Sequence, residues 1–153
     1  DEAIFFHNSA RTVQTGTEIK GGNPLTENYS VLRPEVLDSY DGRPVAQKNA
    51  AFFKKLMEFD AIVIPGQAKS HCVAWTIDDL LNEILAQDPK LARKVYLLED
   101  CTSAVVIRDP SGNIIPGLDF TPMADDAFNR FADAGMNVVK STDPIESWPG
   151  VRL

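Results

Sequence analysis

A chain of 153 residues, 44% hydrophobic and 24% charged, has the size and composition of one compact domain with a sizeable core, spanning residues 1–153. Its formal net charge of −7 and isoelectric point near 4.7 oppose nucleic acid and anionic membrane, both of which recruit proteins through Lys and Arg, so the expected ligand is a small molecule. No apolar run approaches the roughly 20 residues that span a bilayer, no signal-peptide pattern is evident, and Cys72 and Cys101 form no Cys-x-x-Cys or Cys/His cluster; the composition points to the cytoplasm and away from a disulfide framework or structural zinc.

In chain order, residues 1–10 read as the tail of an amphipathic helix without an entry signal, and the chain is therefore expected to lack its natural beginning. Residues 12–19, rich in Thr and Val, predict a short strand that ends at Lys20-Gly21-Gly22 and gives way to a polar loop. Over residues 45–59, Val45, Phe52, Phe53 and Leu56 fall near helical spacing, with Pro44 in the first turn and Lys48, Lys54 and Lys55 for the wet face. Residues 60–65 are apolar and β-branched, the form of a strand buried on both faces, stopping at Pro65-Gly66. From Ser70 onward Val73, Ile77, Leu80, Leu81 and Ile84 predict a helix, with Cys72 in its first turn.

The pattern then repeats. Residues 94–99 form a second strand, the Pro-Ser-Gly-Asn chemistry within 108–117 predicts an inserted hairpin, Thr121-Pro122 opens a helix through Ala134 with Gly135 as its cap, and residues 136–140 form a third strand. Strands alternating with helices predict an α/β fold with a parallel sheet.

In such a sheet, ligands bind beyond the carboxyl ends of the strands, which is where Cys72 falls. A helix amino terminus offers unpaired N–H groups and a partial positive charge, which favour thiolate over thiol and can hold an oxyanion. The competing reading is packing, because free cysteine is among the most buried residue types.

The wider context separates the two. Ile64-Pro-Gly-Gln-Ala-Lys-Ser-His-Cys72-Val, followed by Thr76 and Asp79, resembles the nucleophile turn of the nicotinamidase branch of the isochorismatase-like cysteine hydrolases. Lys20-Gly-Gly-Asn-Pro, followed by Tyr29-Ser30, is similar to that family's lysine loop, and Val95-Tyr-Leu-Leu-Glu-Asp-Cys-Thr-Ser-Ala104 to the strand and turn after the nucleophile helix. The three matches occur in order and cover residues 17–142.

The resemblance implies a three-layer sandwich, a parallel sheet flanked by helices, with Cys72 as the thiolate that attacks an amide carbon and Lys20 as the catalytic lysine. It further implies an oxyanion hole from the backbone N–H groups of Ala68 and Cys72 and a cis peptide between Gln67 and Ala68. Ammonia would leave first and water would then hydrolyse the thioester. Tyr29, Trp75 and Leu32 are candidates to line a pocket for an aromatic amide, against the commoner use of such side chains as core.

The chain departs from the pattern in one respect. The family's catalytic aspartate and its Asp/His metal cluster precede the lysine loop, and only 19 residues precede Lys20 here. The expectation is therefore a carboxyl-terminal portion lacking its amino-terminal strand or strands, with no metal site of its own; a divalent metal such as zinc would be held by residues upstream of Asp1. A complementary amino-terminal chain or a homo-oligomer are the expected partners besides the amide. Asp60, at the wrong end of its strand, and Asp100, in the turn after the next one, do not replace the aspartate. His71 beside the nucleophile and His7 are read as structural, and Cys101 as a buried small residue. The leading function is hydrolysis of nicotinamide or a close amide to acid and ammonia. The alternatives are another small amide or ureide, or a non-catalytic small-molecule-binding homologue.

Overall fold

The computed structural model describes residues 2–11 and 15–151. The side chain of His7 and the first part of the strand predicted over 12–19 lie outside the described residues.

Helix α1 (Glu2–Arg11) leaves Phe5 and Phe6 exposed. Residues 15–49 contain no strand beyond an isolated bridge between Asp38 and Pro44. The strand predicted over 12–19 is therefore not formed in its described part: Glu18 accepts a bond from Asn49 and Lys20 donates to the Tyr29 carbonyl. A strand needs a neighbouring edge, and here polar side chains hold the chain instead.

Helix α2 (Ala50–Met57) starts later than Pro44 and Val45 suggest, for two reasons. Asn49 is the N-cap, its side chain accepting the Phe52 N–H at 3.1 Å. The Val45 and Ala46 N–H groups both donate to the Leu37 carbonyl, which turns this stretch back on residues 37–39.

Three parallel strands form the main sheet in the order β1 (Ile62–Gln67), β2 (Val95–Ser103), β5 (Asn137–Val139). Helices α3 (Ala74–Gln87) and α4 (Thr121–Asp133) make the two crossovers, and β3 (Val106–Arg108) with β4 (Ile114–Asp119) forms the antiparallel hairpin expected between β2 and α4. This is a mixed α/β architecture in which helices flank a three-stranded parallel sheet. No helix among the described residues is long and apolar enough to cross a membrane.

The main core lies between the helices and one sheet face. Ile77, Leu80, Leu81 and Ile84 of α3, Phe128 and Phe131 of α4 and Phe53 of α2 pack with Ile62, Val95 and Leu97. Each such side chain contributes about 1.5–3 kcal/mol on burial. The opposite face carries a smaller cluster, in which Tyr96 stacks on Trp148 beside Val139.

Strand β1 departs from the reading of burial on both faces. It is the edge strand of the described sheet and its side chains alternate, with Ile62 buried and Val63 44% exposed. Nor does it stop at Pro65-Gly66: after a register shift between Ile64 and Gly66 the pairing resumes at Gly66–Thr102 and Gln67–Ser103. Strand β2 is correspondingly longer, so Asp100 lies within it rather than in a turn, and binds the backbone N–H and hydroxyl of Ser141.

Candidate active site

The chain leaves β1 through the Gln67–Ala68 peptide, which is cis. Gly66 just before it has φ 144°, a conformation unfavourable to any side chain, and a β-carbon there would sit 3.4 Å from Val73. Strand end and following turn therefore pack backbone against side chain.

That turn, Lys69–Val73, has π geometry and runs directly into α3. Cys72 thus lies just ahead of the α-helix rather than inside its first turn. The difference comes from the Ala68 carbonyl, which accepts both the His71 N–H at 3.0 Å and the Val73 N–H at 3.1 Å and so widens the coil. Cys72 is partly exposed, with its N–H between those two committed donors.

Two side chains that the sequence reading passed over fix this turn from outside. Lys69 is buried; its ammonium donates to Asp125 of α4 at 2.6 Å and stands 4.6 Å from the centre of the Phe128 ring. A cation over an aromatic face contributes about 0.5–2 kcal/mol. Ser70 is also buried, its hydroxyl accepting the Val105 N–H at 3.0 Å and bonding to His71 Nδ1 at 2.9 Å. The turn is thereby tied to both α4 and the link between β2 and β3. A polar residue next to an apolar run was the available signal, but it does not say which partner will bury it.

The lysine loop reaches the same place. Lys20 is exposed, and its ammonium donates to the Tyr29 carbonyl at 2.7 Å rather than to the thiol. The Tyr29 ring lies 4.9 Å from Trp75, three residues after Cys72, and 6.2 Å from His71, the residue just before it. Phe120, another residue the sequence reading missed, meets the other side of His71 edge-on at 5.0 Å. Trp75, Tyr29, His71 and Phe120 therefore form a chain of rings around the cysteine turn. Trp75 and Tyr29 are each 41% exposed, so they remain open to a ligand, whereas Leu32 belongs to the main core.

His71 is in contact with Ser70, Tyr29 and Phe120, which fits a structural part. Cys101 is exposed, contrary to the packing role expected of it, because it falls in the outer half of β2 beyond the core. Gln67, by contrast, is tied by its side-chain amide to the Ser103 hydroxyl at 2.9 Å.

A groove of about 720 Å³ runs between α3, α4 and Arg33, with Ser70 and Trp75 in its wall. A second, about 560 Å³, is lined by Lys20, Gly21 and Asn23, and Pro34 borders both. Neither is lined by Cys72.

Asp79 of α3 has its carboxyl held above the ordinary value of 3.8, chiefly because burial strips its water; the Ser30 hydroxyl and Arg33 oppose that shift. Among the described residues, no three His, Cys, Asp or Glu side chains come together to hold a metal ion.

A scan of protein-family models, a search of curated proteins and a search of solved structures each find no match to this chain.

Proposed function

We propose that this chain carries the chemistry of a cysteine-dependent amide hydrolase of the isochorismatase-like type, acting on nicotinamide or a close aromatic amide. The observation that carries the reading is the seating of the Lys20 loop on the Cys72 segment through Tyr29, Trp75 and His71. Two stretches 52 positions apart, each singled out by its residues, meet beyond the carboxyl end of β1.

In this reading the Cys72 thiolate attacks the carbonyl carbon and the tetrahedral oxyanion is held by the N–H groups of Ala68 and Cys72. The Lys20 ammonium supplies positive charge that supports the thiolate and the developing oxyanion. As the C–N bond breaks, the leaving amine takes up a proton and departs as ammonia; water then adds to the thioester and releases the acid and the thiol. The rings of Tyr29 and Trp75 suit a flat aromatic amide, since offset stacking favours such a partner.

A carboxylate must relay the thiol proton to the amine. Asp60 lies ahead of β1, at the opposite end from Cys72, and Asp100 is engaged by Ser141, so neither suits that relay. The resemblance assigns it to a position ahead of Lys20, beyond the matched residues. The three-layer arrangement belongs to the same proposal, as does a cytoplasmic setting.

The test is ammonia release from nicotinamide by the intact protein and by Cys72→Ala. The expected result is a loss of at least about 10³-fold, as for removal of other nucleophiles. Undiminished turnover in the variant excludes Cys72 as nucleophile, and turnover of a ureide but not of nicotinamide moves the substrate class.

A further inference from the structure

Ser30, Thr76 and Asp79 have no part in the chemistry proposed above, yet they meet where the loop from Lys20 crosses α3. The Val31 N–H donates to Thr76 Oγ1 at 3.3 Å. Ser30 is buried, and its Oγ accepts the Leu32 N–H at 3.0 Å and the Arg33 N–H at 3.3 Å. With both lone pairs engaged, this hydroxyl has only its proton left to give. Asp79 lies close enough for this hydroxyl to oppose the upward shift that burial gives its carboxyl. Thr76 and Asp79 are three apart on α3 and so share one helix face, the one that meets the loop at Val31. Leu32, the next residue, enters the main core.

The residue just before this junction is Tyr29, whose carbonyl holds the Lys20 ammonium. Resting on the hydrolase reading, we propose that Thr76 is a positioning residue that clamps Val31 to the helix following Cys72, and through Ser30 and Tyr29 fixes where the Lys20 charge stands. The clamp bonds only loop to helix, so its loss frees the lysine loop without opening the core beneath α3.

The experiment measures the rate of Cys72 alkylation by iodoacetamide against pH, in intact protein carrying Cys101→Ser so that a single thiol reacts. Lys20→Ala is expected to move the half-maximal pH upward. Thr76→Val, which keeps the shape and removes the acceptor, is expected to move it in the same direction by at least half as much. Thr76→Ser is expected to restore it, and Lys20→Ala combined with Thr76→Val to shift no further than Lys20→Ala alone. An unmoved profile for Thr76→Val beside a moved one for Lys20→Ala overturns the clamp and leaves the hydrolase reading standing. Additive shifts also overturn it, because Thr76 would then act without the lysine. An unmoved profile for Lys20→Ala removes the lysine's role and the clamp with it.

Discussion

The turn that carries Cys72 and the loop that carries Lys20 are held by different forces. The cysteine turn is fixed by burial: Val73, Ala74 and Ile77 enter the main core, and Lys69 and Ser70 tie it to α4 and the β2–β3 link. The lysine loop is fixed by polar contacts, among them Asn23 to the Val45 carbonyl, Asn49 to Glu18 and the junction at Ser30 and Thr76, with Leu32 as its main buried anchor. Hydrogen bonds each contribute about 1 kcal/mol net, whereas a buried aliphatic side chain contributes two or three times as much. Cys72 is thus built into the rigid part of the domain and Lys20 is carried at the surface, where local opening is easier.

The sharpest break of this contrast is Ile77→Ala. Ile77 is fully buried beneath the cysteine turn, and the truncation is expected to cost about 2–5 kcal/mol in urea-induced unfolding, destabilising helix and turn together. A loss below about 1 kcal/mol would mean that the turn does not depend on the core.

A smaller effect is expected on the other side. Asn49→Ala removes the α2 cap and the tie to Glu18, and is expected to cost about 1 kcal/mol in the same measurement. Hydrogen exchange should then quicken over residues 15–49 while α3 keeps its protection; equal loosening of both regions would erase the distinction.

The smallest effect is in the pH dependence. The Asp79 carboxyl titrates higher when folded, so the stability it contributes is fully present below 3.8 and is lost as pH rises through its folded value. Asp100, Asp109 and Asp119 are held low by hydrogen bonds from Ser141, Asn113 and Thr121 respectively, so their contributions are present above 3.8 and are lost as pH falls through their folded values. Asp79→Asn is expected to flatten the decline on the high side of 3.8 and to leave the acid limb unchanged. The urea midpoint followed against pH reads both, and an unaltered upper limb would contradict the burial of Asp79.

The same division governs how much was legible in the sequence. Apolar spacing located α3, α4 and the three strands, because Ile77, Leu80, Leu81 and Ile84 must share one buried face and Val95 and Leu97 another. It misjudged β1, since the composition of Ile62, Val63 and Ile64 does not reveal an edge with one face open. It also stretched α2 over Pro44 and Val45, where a cap and a backward turn decide the boundary. In the site, Cys72, Lys20, Tyr29 and Trp75 were named from their local pattern, whereas Lys69, Ser70 and Phe120 were not. Their parts depend on partners 35 or more positions away: Asp125 for Lys69, Val105 for Ser70 and, for Phe120, His71. A single stretch of sequence carries a residue's chemistry but not the neighbour that folding brings to it.

In the proposed reaction Cys72 becomes acylated. Acid quenching of the intact protein during turnover of nicotinamide, followed by peptide mapping, locates the thioester. The predicted result is an acyl group on the peptide containing Cys72 and none on Cys101, which is exposed and serves as an internal control. Turnover that persists after Cys72 has been alkylated, or an acyl group carried by Cys101 instead, would contradict it.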